Sequence, residues 1–138
     1  MNKTSQDLRV VHVLDSLAPG GLENGVVNVA RRLHGSGFQM RAACLRFKGE
    51  FAERMPDPGL VEVMGKQGGF TPSAVWNLRR HLIETRADVA HTHNLGTLVY
   101  ASLATHGGLL CPIVHGEHGQ VQKQELTKLI DHNGDDII

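Results

Sequence analysis

The chain has 138 residues, 41% of them hydrophobic, and its fourteen Lys plus Arg are balanced by fourteen Asp plus Glu. Length and composition fit one globular domain with an apolar core, and the absence of net positive charge removes the global phosphate neutralisation on which nucleic-acid affinity depends, so no nucleic-acid partner is expected. The apolar runs fall short of the roughly 20 residues of a membrane helix, and "MNKTSQDLR" is polar where a secretory signal is apolar, so a cytoplasmic location is expected.

After a polar tail over 1–8, "RVVHVLD", Arg9 to Asp15, is an almost continuous β-branched and apolar run, as in strands covered on both faces. Val26, Val29, Ala30 and Leu33 then recur at helical spacing, with Glu23, Asn24, Arg31 and Arg32 on the other side, and "HGSG" closes the helix. A second strand is expected over Phe38 to Phe47 and a short third over Leu60 to Met64, separated by a loop with one helical turn. Val75, Leu78, Leu82 and Ile83 mark a helix reaching about Arg86, for which Ser73 is the expected cap. "DVAHTH", Asp88 to His93, reads as a fourth strand, and a helix follows from about Thr97 to Thr105. "LLCPIVH" reads as a fifth strand weakened by Pro112. Val121, Leu126, Leu129 and Ile130 suggest one more helix, and "DDII" the start of a strand.

Strands alternating with helices in this order predict a Rossmann-like α/β fold, a mostly parallel sheet with helices on both faces and right-handed crossovers. Residues 9–119 form the domain, and 120–138 add a helix and a strand cut off at its start. Cys44 and Cys111 lie in apolar surroundings and read as buried thiols.

In such a sheet ligands collect at the carboxyl ends of the strands. Three polar or glycine-rich motifs lie there: "SLAPGGLEN" after the first strand, "HTHNLG" after the fourth and "HGEHGQ" after the fifth. Gly20 and Gly21 permit positive φ and close approach of a ligand, and the helix behind them offers unpaired N–H groups to an anion; a plain tight turn is the alternative. Neither G-x-G-x-x-G nor the phosphate-binding P-loop is matched. Glu23 suits a helix cap or a sugar hydroxyl. His91 and His93 point to one face of the fourth strand, His91 as a core residue and His93 nearer the cleft, with Asn94 opening the loop. "HGEHG", His115 to Gly119, admits three readings: metal ligation completed by His91 or His93, acid/base or hydrogen-bonding work, or a polar strand end.

Together "VVHVLDSLAPGGLENGVVNVARRL", "ADVAHTHN" and "PIVHGEHG" resemble the amino-terminal domain of a retaining glycosyltransferase of family four with the two-domain GT-B fold, over about Val10 to Gly119. "GGLENGVVN" and "HGEHG" are most similar to sugar transferases found with exopolysaccharide and exosortase-type systems. The resemblance implies transfer of a sugar from a nucleotide-sugar donor, a nucleotide diphosphate, to a saccharide or lipid-linked acceptor with retained configuration, and no metal or other cofactor. It maps the donor- and acceptor-approaching loop onto Gly20 and Gly21, the acceptor side onto His93 and Asn94, and the catalytic histidine beside the transferred sugar onto His118, followed by Gly119. It also implies a carboxyl-terminal donor domain with a glutamate pair that this sequence does not supply, so a truncated enzyme, inactive alone, is expected. Peripheral association with the inner face of a membrane goes with lipid-linked acceptors. The second reading is a non-catalytic Rossmann-like binding or interaction module using the same loops.

Overall fold

The computed structural model describes residues 6–116. The helix expected after Gln120, the strand at "DDII", and the motif residues Glu117, His118 and Gly119 lie outside the described residues.

Strand β1 spans Leu8–Leu14, helix α1 Gly21–Leu33 and strand β2 Phe38–Cys44. Two short 3-10 turns, Glu50–Arg54 and Pro58–Leu60, lead into β3, Val61–Val63. Helix α2 runs over Pro72–Glu84, β4 over Val89–Thr92, α3 over Leu95–Ala104 and β5 over Ile113–His115. Every strand pair is parallel, in the order β3-β2-β1-β4-β5. The expected Rossmann-like α/β arrangement is therefore the one observed.

The strands are each within a few residues of the sequence reading, β2 ending at Cys44 rather than Phe47, and three other differences have a local reason. Helix α2 starts earlier than Ser73 would place it. Thr71 is its N-cap and Pro72 its first residue, because a fixed φ and a missing N–H cost nothing at that position. Helix α3 begins at Leu95 because Asn94 and Thr97 form a reciprocal capping box: the Asn94 side chain accepts from the Thr97 amide at 2.9 Å, and the Thr97 hydroxyl accepts from the Asn94 amide at 3.1 Å. Strand β5 is confined to three residues. Pro112 has no amide to donate and contributes only its carbonyl, which accepts from the Ala90 amide at 3.0 Å.

A cluster of buried side chains lies on each face of the sheet. One joins Val10, Leu14, Met40 and Ala42 to Val26, Val27 and Ala30 of α1. The other joins Val11, Val13, Ala43 and Ala90 to Leu78 and Leu82 of α2 and Tyr100 and Ala101 of α3. Alternation along β1 sends neighbouring residues into opposite cores. Both cysteines are buried and unpaired, and no helix among the described residues is long and apolar enough to cross a membrane.

The order reverses between β1 and β4: the chain leaves β1 toward β2 on one side, and leaves β4 toward β5 on the other. This boundary is where open parallel sheets gather ligands beyond the carboxyl ends of their strands.

Candidate functional site

The loop leaving β1 is fixed by the segment that follows β2. The Leu17 amide donates to the Lys48 carbonyl at 2.7 Å, the Phe51 amide donates to the Leu17 carbonyl at 2.8 Å, and the Leu17 side chain is fully buried. Between these bonds sits Gly49 with φ +84°, where a Cβ would strike the backbone of Leu17 and Ala18. Only glycine meets both demands.

Gly20 and Gly21 do not take the positive φ that their sequence permits. Gly20 is the N-cap of α1 with φ −179°, extended backbone open to any residue. Gly21 is helical, and a Cβ there would meet nothing within 4 Å. What the pair leaves is room beside the helix start. Glu23 stands in the first turn, where the helix dipole favours a carboxylate. It makes no side-chain capping bond, and its carboxylate instead folds over Gly20, into the space a Cβ would take.

At the neighbouring strand end, the register sets His12 of β1 beside His91 of β4, and His93 follows one residue beyond β4. The three rings form one stack-like group, with centroids 5.0 Å apart for His12 and His91, 5.1 Å for His12 and His93, and 4.2 Å for His91 and His93. His12 Nδ1 and His93 Nε2 share a hydrogen bond of 2.9 Å. Both of these residues are 3% exposed, and His12 Nε2 is buried without a hydrogen-bond partner. An orphaned polar atom of this kind costs about 1–3 kcal/mol. Burial, and then the charge of neighbouring His91, pushes His12 down to about 3, so it is a neutral imidazole over the ordinary pH range. One ring nitrogen from each of His12, His91 and His93 lies within 4.8 Å of the others, the one such donor group among the described residues.

These histidines form one wall of a cavity of about 430 Å³ whose opposite wall is α1, through Gly21, Leu22, Gly25, Val26, Val29 and Leu33. Val10, Phe38 and Met40 also line it, so among the described residues the lining is apolar apart from the imidazoles and carries no acidic side chain. The structure thus joins Gly21 and His93 across one hollow. Gly20, Glu23 and Asn94 are not in its lining; the Asn94 carbonyl oxygen of the side chain is occupied by the α3 cap. His91, expected as a core residue, is half-buried and lines the cavity. His115 lies within β5 as expected, its Nδ1 2.7 Å from the Thr92 hydroxyl. His118 and Gly119 lie outside the described residues.

Two site features escaped the sequence reading. His12 looked like part of an apolar strand, although a lone histidine inside "VVHVL" facing a second histidine across a parallel pair was the available signal. Gly49 gave no signal beyond being a glycine, since its role depends on a loop more than 30 residues earlier in the chain.

The model of the family described as Glycosyltransferase Family 4 matches residues 19–133, well over half of the chain. Among solved structures, the chain is similar to MurG of Acinetobacter baumannii, with a TM-score of 0.60 and 15% identity. That match covers 88% of this chain and 39% of the MurG chain, so this chain spans well under half the length of that protein. No curated protein sequence matches it.

Proposed function

The chain belongs to glycosyltransferase family 4, and from that premise we propose that residues 9–119 are the acceptor-side domain of an enzyme moving a sugar from a nucleotide diphosphate donor to a saccharide or lipid-linked acceptor with retention. The observation that carries this reading is that Gly21 and His93, which follow β1 and β4 on either side of the point of order reversal, line one cavity. The amino end of α1 beside it has first-turn amides with no partner inside the helix, and room at Gly21 for a phosphate oxygen to come close.

In this reading Gly20 and Gly21 receive the donor diphosphate, after Glu23 swings away from Gly20 toward a sugar hydroxyl. His93 and Asn94 border the acceptor. His118, followed by Gly119, stands beside the transferred sugar and acts on the reacting centre. The apolar cavity below favours an acceptor with an apolar portion, which supports the lipid-linked class and association with the inner face of a membrane, in an exopolysaccharide-type context. Most of the stabilisation of the departing diphosphate falls to a carboxyl-terminal donor domain, because the developing charge needs more preorganised donors than the amides at the start of α1. The chain alone is accordingly expected to bind substrate weakly and not to turn it over.

The test is reconstitution with a complementary family 4 donor domain, measuring sugar transfer to saccharide and polyprenyl-linked acceptors. Transfer with retained anomeric configuration, lost in His118→Ala, is the expected result. Absence of transfer in every pairing, or unchanged activity in His118→Ala, overturns the reading. Phosphate-ligand binding without transfer in any pairing would instead identify a non-catalytic binding module.

A further inference from the structure

We infer that the outer face of α2 and α3 is a docking surface for an anionic lipid bilayer, with Trp76 as its aromatic anchor and Lys66, Arg79 and Arg80 as its cations. A bilayer as the occupant rests on the lipid-linked acceptor proposed above, but lipid binding is read without sugar transfer, so either can fail alone.

The two helices and the loop before α2 are tied into one surface. Trp76, Arg80 and Ile83 of α2 recur at helical spacing, which sets them on one stripe. Arg79, a step round the helix toward α3, donates from Nη1 to the Ala104 carbonyl at 3.0 Å, next to Leu103. At the other end the Tyr100 hydroxyl of α3 accepts from the Thr71 amide at 2.9 Å. The Phe70 ring lies 5.4 Å and the Lys66 ammonium 6.0 Å from the Tyr100 ring. Phe70, Trp76 and Ile83 are half or more exposed, and Val99 and Leu103 nearly half. Besides its buried Tyr100, Ala101 and Ala104, α3 carries Leu95, Leu98, Val99 and Leu103, so it is apolar nearly all round, the pattern of a helix covered on more than one side. Apolar side chains gathered in this way mark an interaction site, whereas scattered ones need no explanation.

Charge selects the occupant. Lys66, Arg79 and Arg80 border the apolar side chains and Arg86 follows α2, while against them α2 offers one acid, Glu84. Glu62 is turned to His81, which is buried on the inner side of the helix. A second copy docked across a two-fold axis would set these cations against themselves. Anionic headgroups answer them, since the long stems of Lys and Arg lie along apolar surface while their charged ends reach the headgroup layer. Tryptophan favours the same boundary between headgroups and acyl chains.

Trp76 is the single tryptophan of the 138-residue chain, so its fluorescence reports on this face without any variant. In the whole chain without lipid, acrylamide should quench it freely. Vesicles of phosphatidylglycerol and phosphatidylcholine in equal parts should shift its emission to the blue, and brominated acyl chains should quench it. Added salt should weaken this binding, and phosphatidylcholine alone should bind far less. In co-sedimentation Trp76→Ala should bind about tenfold more weakly and Arg80→Gln about fivefold. Both variants should keep the parent's denaturation midpoint, because both side chains are exposed. Phe47→Ser, at an exposed aromatic on the loop after β2, should bind as the parent does. A blue shift that grows with protein concentration alone would make a second copy the occupant and overturn the assignment. So would a Trp76 shielded from acrylamide before lipid is added, binding with unchanged emission, equal affinity for neutral vesicles, unchanged binding in Trp76→Ala, or loss of binding in Phe47→Ser.

Discussion

The two faces of the sheet are built from the same strands and have opposite characters. On the face covered by α2 and α3, β1 and β4 present Val11, Val13 and Ala90, closed over by Leu78, Leu82 and Tyr100. On the face covered by α1, the alternate positions are Val10, His12 and His91, with His93 just beyond, and the helix stands off far enough to leave a cavity. A period of two lets one short strand serve a close-packed core and a polar site at once. The lesson is a division of labour: the closed face supplies close packing, and the open face carries the imidazole group and the cavity.

That contrast is open to attack from either side. The largest effect is expected on the closed face. Leu78→Ala removes a fully buried side chain and should cost about 2–5 kcal/mol, read as a fall in the denaturation midpoint. A cost near zero would mean that α2 does not seal this core.

Next comes Gly49→Ala, at the base of the loop that feeds the open face. The residue would carry both positive φ and a backbone collision with Leu17 and Ala18, a loss of roughly 1–3 kcal/mol. Ligand affinity should fall with stability, since the loop before Gly20 must move. Crystal structures or amide exchange showing that loop unchanged would contradict the bracing role.

Protonation sharpens the comparison further. His12 on the open face is lowered from 6.5 to about 3 by burial and by His91. His81 of α2 is also lowered, by burial first, with Glu62, 3.3 Å away, opposing the shift. Between the folded and unfolded values the unfolded chain binds more protons, so the protein should be fully stable above about 6.5 and lose stability steadily as pH falls toward 3. Denaturant melts on either side of pH 6.5 should show this slope, and His12→Asn should flatten it. An equal slope in the variant would place the proton uptake elsewhere.

A smaller effect concerns the thiols. Burial pushes Cys44 up to about 12 and raises Cys111 as well, so neither should react with a disulfide reagent near neutral pH until the chain is unfolded. Fast labelling of the native protein would show that one of the cores opens.

The smallest structural effect belongs to Gly21→Ala. Ordinary helical backbone and empty space around the missing Cβ make it neutral to about 1 kcal/mol stabilising. A loss of ligand affinity at unchanged stability would then isolate bare backbone at the helix start as a binding feature. Unchanged affinity would leave the glycine pair with no role at the cavity.

The sequence by itself determined the element order and the Rossmann-like class, because runs of β-branched residues and helical spacing of apolar residues depend only on near neighbours. It also placed the glycine pair, His93 and Asn94 at strand ends, since motif position follows from element order. Tertiary structure alone decided which of these residues meet. Asn94 became a helix cap through Thr97, Gly21 rather than Gly20 reached the cavity, and His12 joined the other histidines because β1 pairs with β4 in a register that places His12 opposite His91. The physical reason is that strand register and the standoff of α1 are set by packing between segments as much as 81 residues apart, and no local pattern of residues encodes a distance across that separation.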